Sequence, residues 1–138
     1  MGERWPRHWL SIARYADSNG LDENVAYGNA WRYRDWVVAA FNADLPYDAF
    51  IQKQLAVDLI EPKNKADLPA LGFLGLGHKL YARSRLDVQA EGWAEQVDTV
   101  SQTFLGLTVA CARCHYHKFD AITPQAYSSP YGMWSTHR

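Results

Sequence analysis

The chain has 138 residues, 48% of them hydrophobic and 14% aromatic, which is enough for one hydrophobic core and too little for two. Fourteen basic and fifteen acidic residues give a formal net charge of -1, so no polybasic surface indicates a nucleic acid or an anionic lipid as partner. The longest apolar run, LPALGFLGLG at 68–77, is shorter than a membrane span and is interrupted by glycine. We therefore expect one domain over residues 1–138, without a transmembrane segment or a nucleic-acid partner.

The two ends of the chain indicate a piece of a longer protein. The first residues, MGERWPRHW, lack the apolar segment of a signal peptide, and the chain stops at WSTHR without a tail. We expect any export signal to belong to sequence outside this fragment.

Two helices are predicted in the first third of the chain. The first runs from about Pro6 to Ala16, because proline suits a first helical turn and apolar residues recur at three- and four-residue spacing. Asn, Asp and Gly then predict a loop over 17–29, and Asn29 can cap a second helix. The apolar face of that second helix consists of Ala30, Tyr33, Val37 and Phe41.

A third helix is predicted between Pro46 and Pro62. Its apolar stripe is Tyr47, Ile51, Leu55 and Leu59, with Phe50 beside it. The stretch 68–77 is compatible with a short buried helix, which its three glycines weaken by about 1 kcal/mol each relative to alanine. The next ten residues, 78–87, are expected to be irregular.

The strongest helical pattern precedes the cysteines. A period of 3.6 residues is kept by Trp93, Val97, Val100, Phe104 and Leu107. We expect this helix to lead straight into Cys111. Since no stretch alternates with period two for long enough to form a strand, the predicted fold class is all-α, a single compact domain of five or six helices with long connecting loops.

Both cysteines lie in ACARCHYHKFD at 110–120. Cys111, Cys114 and His115 spell Cys-x-x-Cys-His, the pattern of covalent c-type haem attachment. Two thioethers one helical turn apart hold the haem vinyl groups, and the adjacent imidazole reaches the iron as proximal ligand. The motif predicts haem c as the cofactor.

Three other interpretations of these residues stay open. A zinc ion would be held by Cys111, Cys114, one or both of His115 and His117, and His8 or His78. Structural zinc sites usually draw their second ligand pair from a separate element, however, and no second Cys/His pair is present. A redox dithiol is typical of a βαβ context, and the last alternative is a pair of inert cysteines at a helix end.

The second axial ligand of the iron is also open. His8 is the first candidate, which makes His115 and His8 the predicted metal ligands, and a five-coordinate iron is the second. Met133 or His78 could bind instead, although a lone methionine beside a tryptophan is more typical of core packing. His117 lies too close to His115 to reach the opposite haem face, so we expect it to contact the cofactor in a supporting role.

Helix two contains the charged run WRYRDW at 31–36. Arg32 or Arg34 could bind the haem propionates through bidentate hydrogen bonds, which would make both cofactor-binding residues. The alternative, a solvated helix face interrupted by aromatic residues, stays open.

Four stretches together resemble a known family. They are GERWPRHWLSIARYADSNG, AWRYRDWVVAAFNADLPYDAFIQKQLAVDL, DTVSQTFLGLTVACARCHYHKFDAIT and WSTHR. These stretches cover nearly the whole chain, and they resemble the uncharacterised domain of planctomycete cytochrome-c-like proteins. In that family the domain normally precedes a second family-specific domain in large exported proteins.

The resemblance implies a haem-c-bearing module in a multidomain protein that is periplasmic or otherwise extracytoplasmic. Cys111 and Cys114 would be the thioether positions and His115 the proximal ligand. The implied partners are the other domains of the parent protein and a redox partner protein.

The family pattern also contains residues that match Arg4, His8, Arg14, Tyr15, Asp17, Arg32, Arg34, Asp35, His117, Lys118 and Asp120. The chain departs from the pattern at Tyr116, where Asp is common, and at Ala121, where Pro is common. The first departure removes a carboxylate beside His115 and weakens any proposal of a metal or acid/base site in this loop.

The leading hypothesis is therefore an electron-transfer module rather than an enzyme. One alternative is a haem enzyme or sensor with an open iron site for peroxide or a small gas. The other is a haem-free interaction module that binds a metal through the same loop and Asp120.

Overall fold

The computed structural model describes residues 4–20, 24–77 and 85–135. Within these ranges the chain forms six α-helices and no strand, so the predicted all-α class is confirmed. None of the helices in this part of the chain is long and apolar enough to cross a membrane. Backbone contacts group the chain into two units, residues 1–79 and 80–138, which are described in turn. The assignment of 1–138 to one c-type-cytochrome-like domain stays a prediction.

The first unit contains four helices and a 3₁₀ turn. They are α1 (Arg4–Ile12), α2 (Ala30–Asn42), α3 (Tyr47–Ile60), the turn Leu68–Leu71 and α4 (Gly72–Gly75). The predicted end of α1 at Ala16 is wrong, because Arg14 adopts a left-handed backbone with φ of 55°. The Tyr15 N–H then returns to the Leu10 carbonyl at 2.9 Å and closes the helix.

Helix α2 agrees with its predicted pattern. It begins at Ala30, directly after Asn29, although the Asn29 side chain makes no capping hydrogen bond. Ala30, Tyr33 and Val37 are buried as the period predicts, whereas Phe41 is partly exposed.

The apolar stripe predicted for α3 is wrong at both ends. Tyr47 and Leu59 are 60% and 61% exposed. The buried residues are Phe50, Gln54 and Val57. Ala56 has non-helical dihedral angles, φ -155° and ψ 29°, so the last turn does not continue the spacing of the first turns.

A buried hydrogen-bond network explains why a polar residue, Gln54, lies in this core. The indole Nε1 of Trp9 donates to Gln54 Oε1 at 2.9 Å and lies 3.1 Å from Tyr33 Oη. The Tyr33 hydroxyl donates to Gln54 Oε1 at 2.7 Å, and the Gln54 amide donates to the Phe50 carbonyl at 3.3 Å. Burial raises the pKa of Tyr33 above its usual range, so the phenol remains a donor.

The stretch 68–77 is helical in two short pieces, in agreement with the prediction. Gly72 allows this segment to lie directly on α2, because a Cβ atom there would be 2.7 Å from the Cβ of Tyr33. Phe73 follows and is fully buried, with its ring stacked 6.0 Å from that of Trp9.

A second polar network holds the connection between α3 and the 3₁₀ turn. The Lys53 ammonium lies 2.5 Å from Asp67 Oδ2 and 3.2 Å from Glu61 Oε1. Asn64 donates to both carboxylates, and the Trp36 indole donates to Asp67 Oδ1 at 2.7 Å. The segment after Pro62 is thereby fixed to both α2 and α3.

The second unit contains two helices and two tighter turns. They are α5 (Arg85–Val100), the π turn Ser101–Leu105, the 3₁₀ turn Val109–Arg113 and α6 (Pro124–Ser135). Arg85–Asp87 is helical, so the predicted irregular stretch is wrong there, and residues 78–84 lie outside the described residues. The core contains Val97, Val109, Ala112 and Tyr127, with Leu107 and Ile122 packed against it.

The sequence predicted that α5 leads straight into the cysteines, and this prediction is wrong. The α-helix continues through Val100, after which the backbone widens into the π turn. Gly106 then adopts the left-handed conformation with φ of 66°, and the Leu107 N–H bonds back to the Ser101 carbonyl at 3.2 Å. Cys111 therefore lies in a separate short element.

Candidate functional site

The cysteine segment folds as one 3₁₀ turn with an inner and an outer face. Val109 and Ala112 are three residues apart, so they lie on the same side of the turn and are buried in the core. Cys111 and Cys114, the residue that follows the turn, repeat the same spacing about a third of a turn away, and both are free, exposed thiols. The Cys114 N–H lies 3.5 Å from the Cys111 carbonyl, which keeps the two residues one turn apart.

The His115 imidazole is exposed, and its protonation pattern follows from one contact. Its Nδ1 lies 2.7 Å from the backbone carbonyl oxygen of Tyr116. Since a carbonyl can only accept, we assign the proton of the neutral ring to Nδ1, which then donates. In the neutral ring this leaves the lone pair on Nε2, the arrangement typical of a histidine that binds a metal through Nε2.

The His117 ring forms hydrogen bonds with the backbone of its own loop. The backbone N–H groups of Asp120 and Phe119 point to its Nδ1 at 3.0 and 3.4 Å. The Asp120 carboxylate also lies 3.1 Å from Nδ1, and that contact would require the opposite protonation. The exposed carboxylate can bind water instead, whereas the backbone N–H groups are fixed in place. We therefore assign Nδ1 as acceptor and Nε2 as the protonated nitrogen.

The tip of this loop presents aromatic side chains. Tyr116 is exposed, and Phe119 is 84% exposed. The Lys118 ammonium lies 5.0 Å from the centroid of the Phe119 ring, within the range of a cation–π interaction. The loop is therefore open and amphipathic on its outer side.

An ion pair that the sequence did not reveal fixes the cysteine turn to α5. Arg113 places its two terminal nitrogens 3.4 and 3.2 Å from the two Glu91 carboxylate oxygens. Both side chains are about half exposed, so the pair contributes orientation more than stability. The partners are 22 residues apart, and no local pattern marks such a distant pair.

Three predicted site residues lie in the first unit. His8 is exposed on α1. The Arg32 guanidinium lies 5.3 Å from the centroid of the Trp31 ring. Arg34 binds Asp35 at 2.9 Å, and this hydrogen bond raises the pKa of Arg34. Their roles toward a cofactor stay predictions.

Tyr15 and Asp17, which match the family pattern, form a pair close to Arg34. The Tyr15 hydroxyl donates to Asp17 Oδ1 at 2.7 Å. Burial and this hydrogen bond to a carboxylate together raise the pKa of Tyr15 to about 12. The phenol is therefore a neutral donor at physiological pH.

The remaining candidate ligands lie outside the described residues. They are His78 and the side chain of Met133. Among the residues that are described, no three His, Cys, Asp or Glu side chains are grouped so that they could hold a metal ion.

Comparison with known families identifies the chain at a coarse level. Residues 1–138 match the family described as PSCyt2, protein of unknown function (DUF1549). The chain belongs to this family. No curated protein matches the chain, and no solved structure matches it. Membership in PSCyt2 confirms the cytochrome-c-like family predicted from the four stretches, while haem attachment and export stay predictions.

Proposed function

We propose that this PSCyt2 chain holds haem c covalently through Cys111 and Cys114, with His115 as the proximal ligand of the iron. In this proposal it is an electron-transfer module of a larger extracytoplasmic protein. The observation that carries the proposal is the hydrogen bond from His115 Nδ1 to the Tyr116 carbonyl, one residue after two exposed free thiols. It leaves Nε2 as the basic nitrogen of the ring.

The donor set fits covalent haem. Each thiol adds across one vinyl group: an S–C bond forms and the thiol hydrogen goes to the neighbouring vinyl carbon, so attachment needs no oxidant. Both sulfurs lie on the outer face of the 3₁₀ turn, and their modification leaves Val109 and Ala112 in the core. When bound, haem supplies a one-electron couple whose potential depends on axial ligation and burial.

The other residues take secondary roles in the proposal. His8 is the first candidate for the second axial ligand, and Arg32 and Arg34 are candidates for the propionates through their planar, charged donors.

The test is expression of the chain in a periplasm that contains a haem-attachment system, followed by mass spectrometry under denaturing conditions. We expect one haem on the wild-type chain and none on the Cys111→Ala, Cys114→Ala double variant. The reduced holoprotein should show an α-band at about 550 nm, as expected for a low-spin haem c. Gln52→Leu, a substitution at an exposed residue of the first unit, serves as the matched control and should carry haem like the wild type.

The proposal fails if the wild-type chain carries no covalent haem while a reference c-type cytochrome in the same cells is matured. If haem is attached, His8→Ala tests the second ligand. Conversion of a low-spin to a high-spin spectrum supports His8 ligation, and an unchanged spectrum excludes it.

A further inference from the structure

In the loop between His115 and α6, the His117 ring accepts backbone hydrogen bonds from residues later in the same loop. We propose that His117 is a positioning residue, which fixes the Tyr116–His117 peptide and through it the orientation and tautomer of the His115 imidazole. The inference rests on the proposed function, in which His115 Nε2 binds iron. It is supported by three successive contacts.

The first contact is the acceptor at the centre of the loop. His117 Nδ1 accepts the Asp120 N–H at 3.0 Å and lies 3.4 Å from the Phe119 nitrogen. The His117 side chain is only 7% exposed, although its neighbours along the loop are exposed. Water therefore competes little for this nitrogen, and loss of the acceptor would leave the Asp120 N–H without its protein partner.

The second contact anchors the loop to the core. The Asp120 carbonyl accepts the Ile122 N–H at 2.7 Å, and the Ile122 carbonyl accepts the His117 N–H at 3.1 Å. The Ile122 side chain packs against the core that contains Val97 and Tyr127. The His117 ring binds Asp120, and the backbone groups of His117 and Asp120 both bind Ile122. Because Ile122 packs on the core, the two ends of the loop are fixed to it.

The third contact transmits this constraint to His115. The His117 N–H and the Tyr116 carbonyl belong to the same peptide unit, and in a trans peptide they point in opposite directions. When Ile122 holds the N–H, the carbonyl must face the other way, and there it accepts His115 Nδ1–H at 2.7 Å. The loop thereby presents a preformed acceptor that selects the tautomer with a basic Nε2.

The consequence can be measured in the haem-free chain. A neutral hydrogen bond shifts an equilibrium by about fivefold, so we expect His115 to favour the Nδ1–H tautomer by about that factor over an unconstrained histidine. Imidazole nitrogen chemical shifts in NMR report the two tautomers directly. The exposed His8 in the same spectrum is the internal reference.

Two substitutions of His117 separate the acceptor from the ring. His117→Leu removes the acceptor and keeps an apolar side chain in the loop, while His117→Asn restores an acceptor oxygen near the position of Nδ1. We expect His117→Leu to abolish the tautomer preference of His115 and His117→Asn to retain most of it. Asp120→Asn, which keeps the backbone N–H, should behave like the wild type. Equal tautomer ratios in wild type and His117→Leu would overturn the proposal.

A measurement on the wild type covers the case in which a variant does not fold. The N–H groups of His117 and Asp120 should exchange with solvent at least about fivefold more slowly than that of Lys118, which has no acceptor among the described residues. Similar exchange rates for all three would also contradict the proposal.

The loaded protein distinguishes this inference from the proposed function. If wild type and His117→Leu both carry haem, the variant should show a shifted reduction potential and a larger high-spin fraction, and His117→Asn should restore both. Identical spectra and potentials in all three would reject His117 as a positioning residue and leave haem attachment intact. Absence of haem from the wild type would reject the proposed function, while the tautomer measurement would still test the loop.

Discussion

Gln54 shows at the scale of one residue how a polar side chain can belong to a core. It is fully buried, and its amide oxygen accepts from both Trp9 and Tyr33. The donors are 45 and 21 residues away in sequence, so neither the period of α3 nor its composition reveals the partnership. The core of the first unit therefore depends on one amide as well as on its aromatic rings.

Substitution of this amide tests the network. We expect Gln54→Leu to lower the free energy of unfolding by about 1–3 kcal/mol, because the Tyr33 hydroxyl would lose its buried acceptor. The measurement is denaturant unfolding followed by circular dichroism. Gln52→Leu makes the same chemical change at an exposed position of α3 and should stay within about 0.5 kcal/mol of wild type. Equal effects of the two changes would show that the buried hydrogen bonds contribute nothing specific.

At the scale of elements, the connection after α3 is held by charge rather than by apolar contacts. Lys53 lies between Glu61 and Asp67, and it is the only side chain in their described hydrogen-bond network that carries a positive charge. Burial acts to raise the pKa of Asp67, but hydrogen bonds from Lys53, Trp36 and Asn64 outweigh it and leave the pKa lowered. The pKa of Glu61 is lowered by Asn64 and Lys53.

These shifts give a pH dependence with a defined sign. A carboxyl whose pKa is lowered by folding stabilises the protein above its unfolded pKa of about 4, and that stability is lost as pH falls through the folded value. We expect Lys53→Met to cost about 1–2 kcal/mol near neutral pH, chiefly through the Lys53–Asp67 bond, and clearly less near pH 3. Unfolding curves at both pH values measure the difference.

The matched control is Lys63→Met, which removes the same charge from an exposed position. It should show a small effect at both pH values. A cost of Lys53→Met that is the same at neutral and acid pH would contradict the role assigned to the two carboxylates.

Across the whole molecule, the sequence predicted what depends on local periodicity. The all-α class, the start of α2 at Ala30 and the start of α3 after Pro46 agree with the structure, because apolar spacing and proline act within a few residues. The end of α1 and the end of α5 do not agree. The left-handed backbone of Arg14 follows the early end of α1, and α5 gives way after Val100 to a π turn that ends at the left-handed Gly106.

The sequence likewise predicted only part of the candidate site. The spacing of Cys111, Cys114 and His115 can be read directly from the sequence, and the chain is confirmed as a member of a cytochrome-c-like family. The Arg113–Glu91 pair and the inward turn of the His117 ring require tertiary contacts that bring separate segments together. Sequence spacing alone therefore selects the candidate residues, but not the residues that hold them in place.

Exposure of both thiols gives a prediction for the folded, haem-free chain as a whole. We expect iodoacetamide to modify Cys111 and Cys114 without denaturant, because access to an exposed thiol does not require unfolding. Intact-mass spectrometry counts the added groups, and the Cys111→Ser variant should take up one group instead of two. Modification that requires denaturant would show that the thiols are covered in solution.

The outward face of the cysteine turn also bears on the order of events during biosynthesis. Val109 and Ala112 hold the turn on the core, and neither sulfur takes part in that packing. A chain that has already folded still offers both sulfurs to a modifying enzyme, and a chain modified first can still close the same core. The core of this unit therefore does not dictate whether folding or modification of the two thiols comes first.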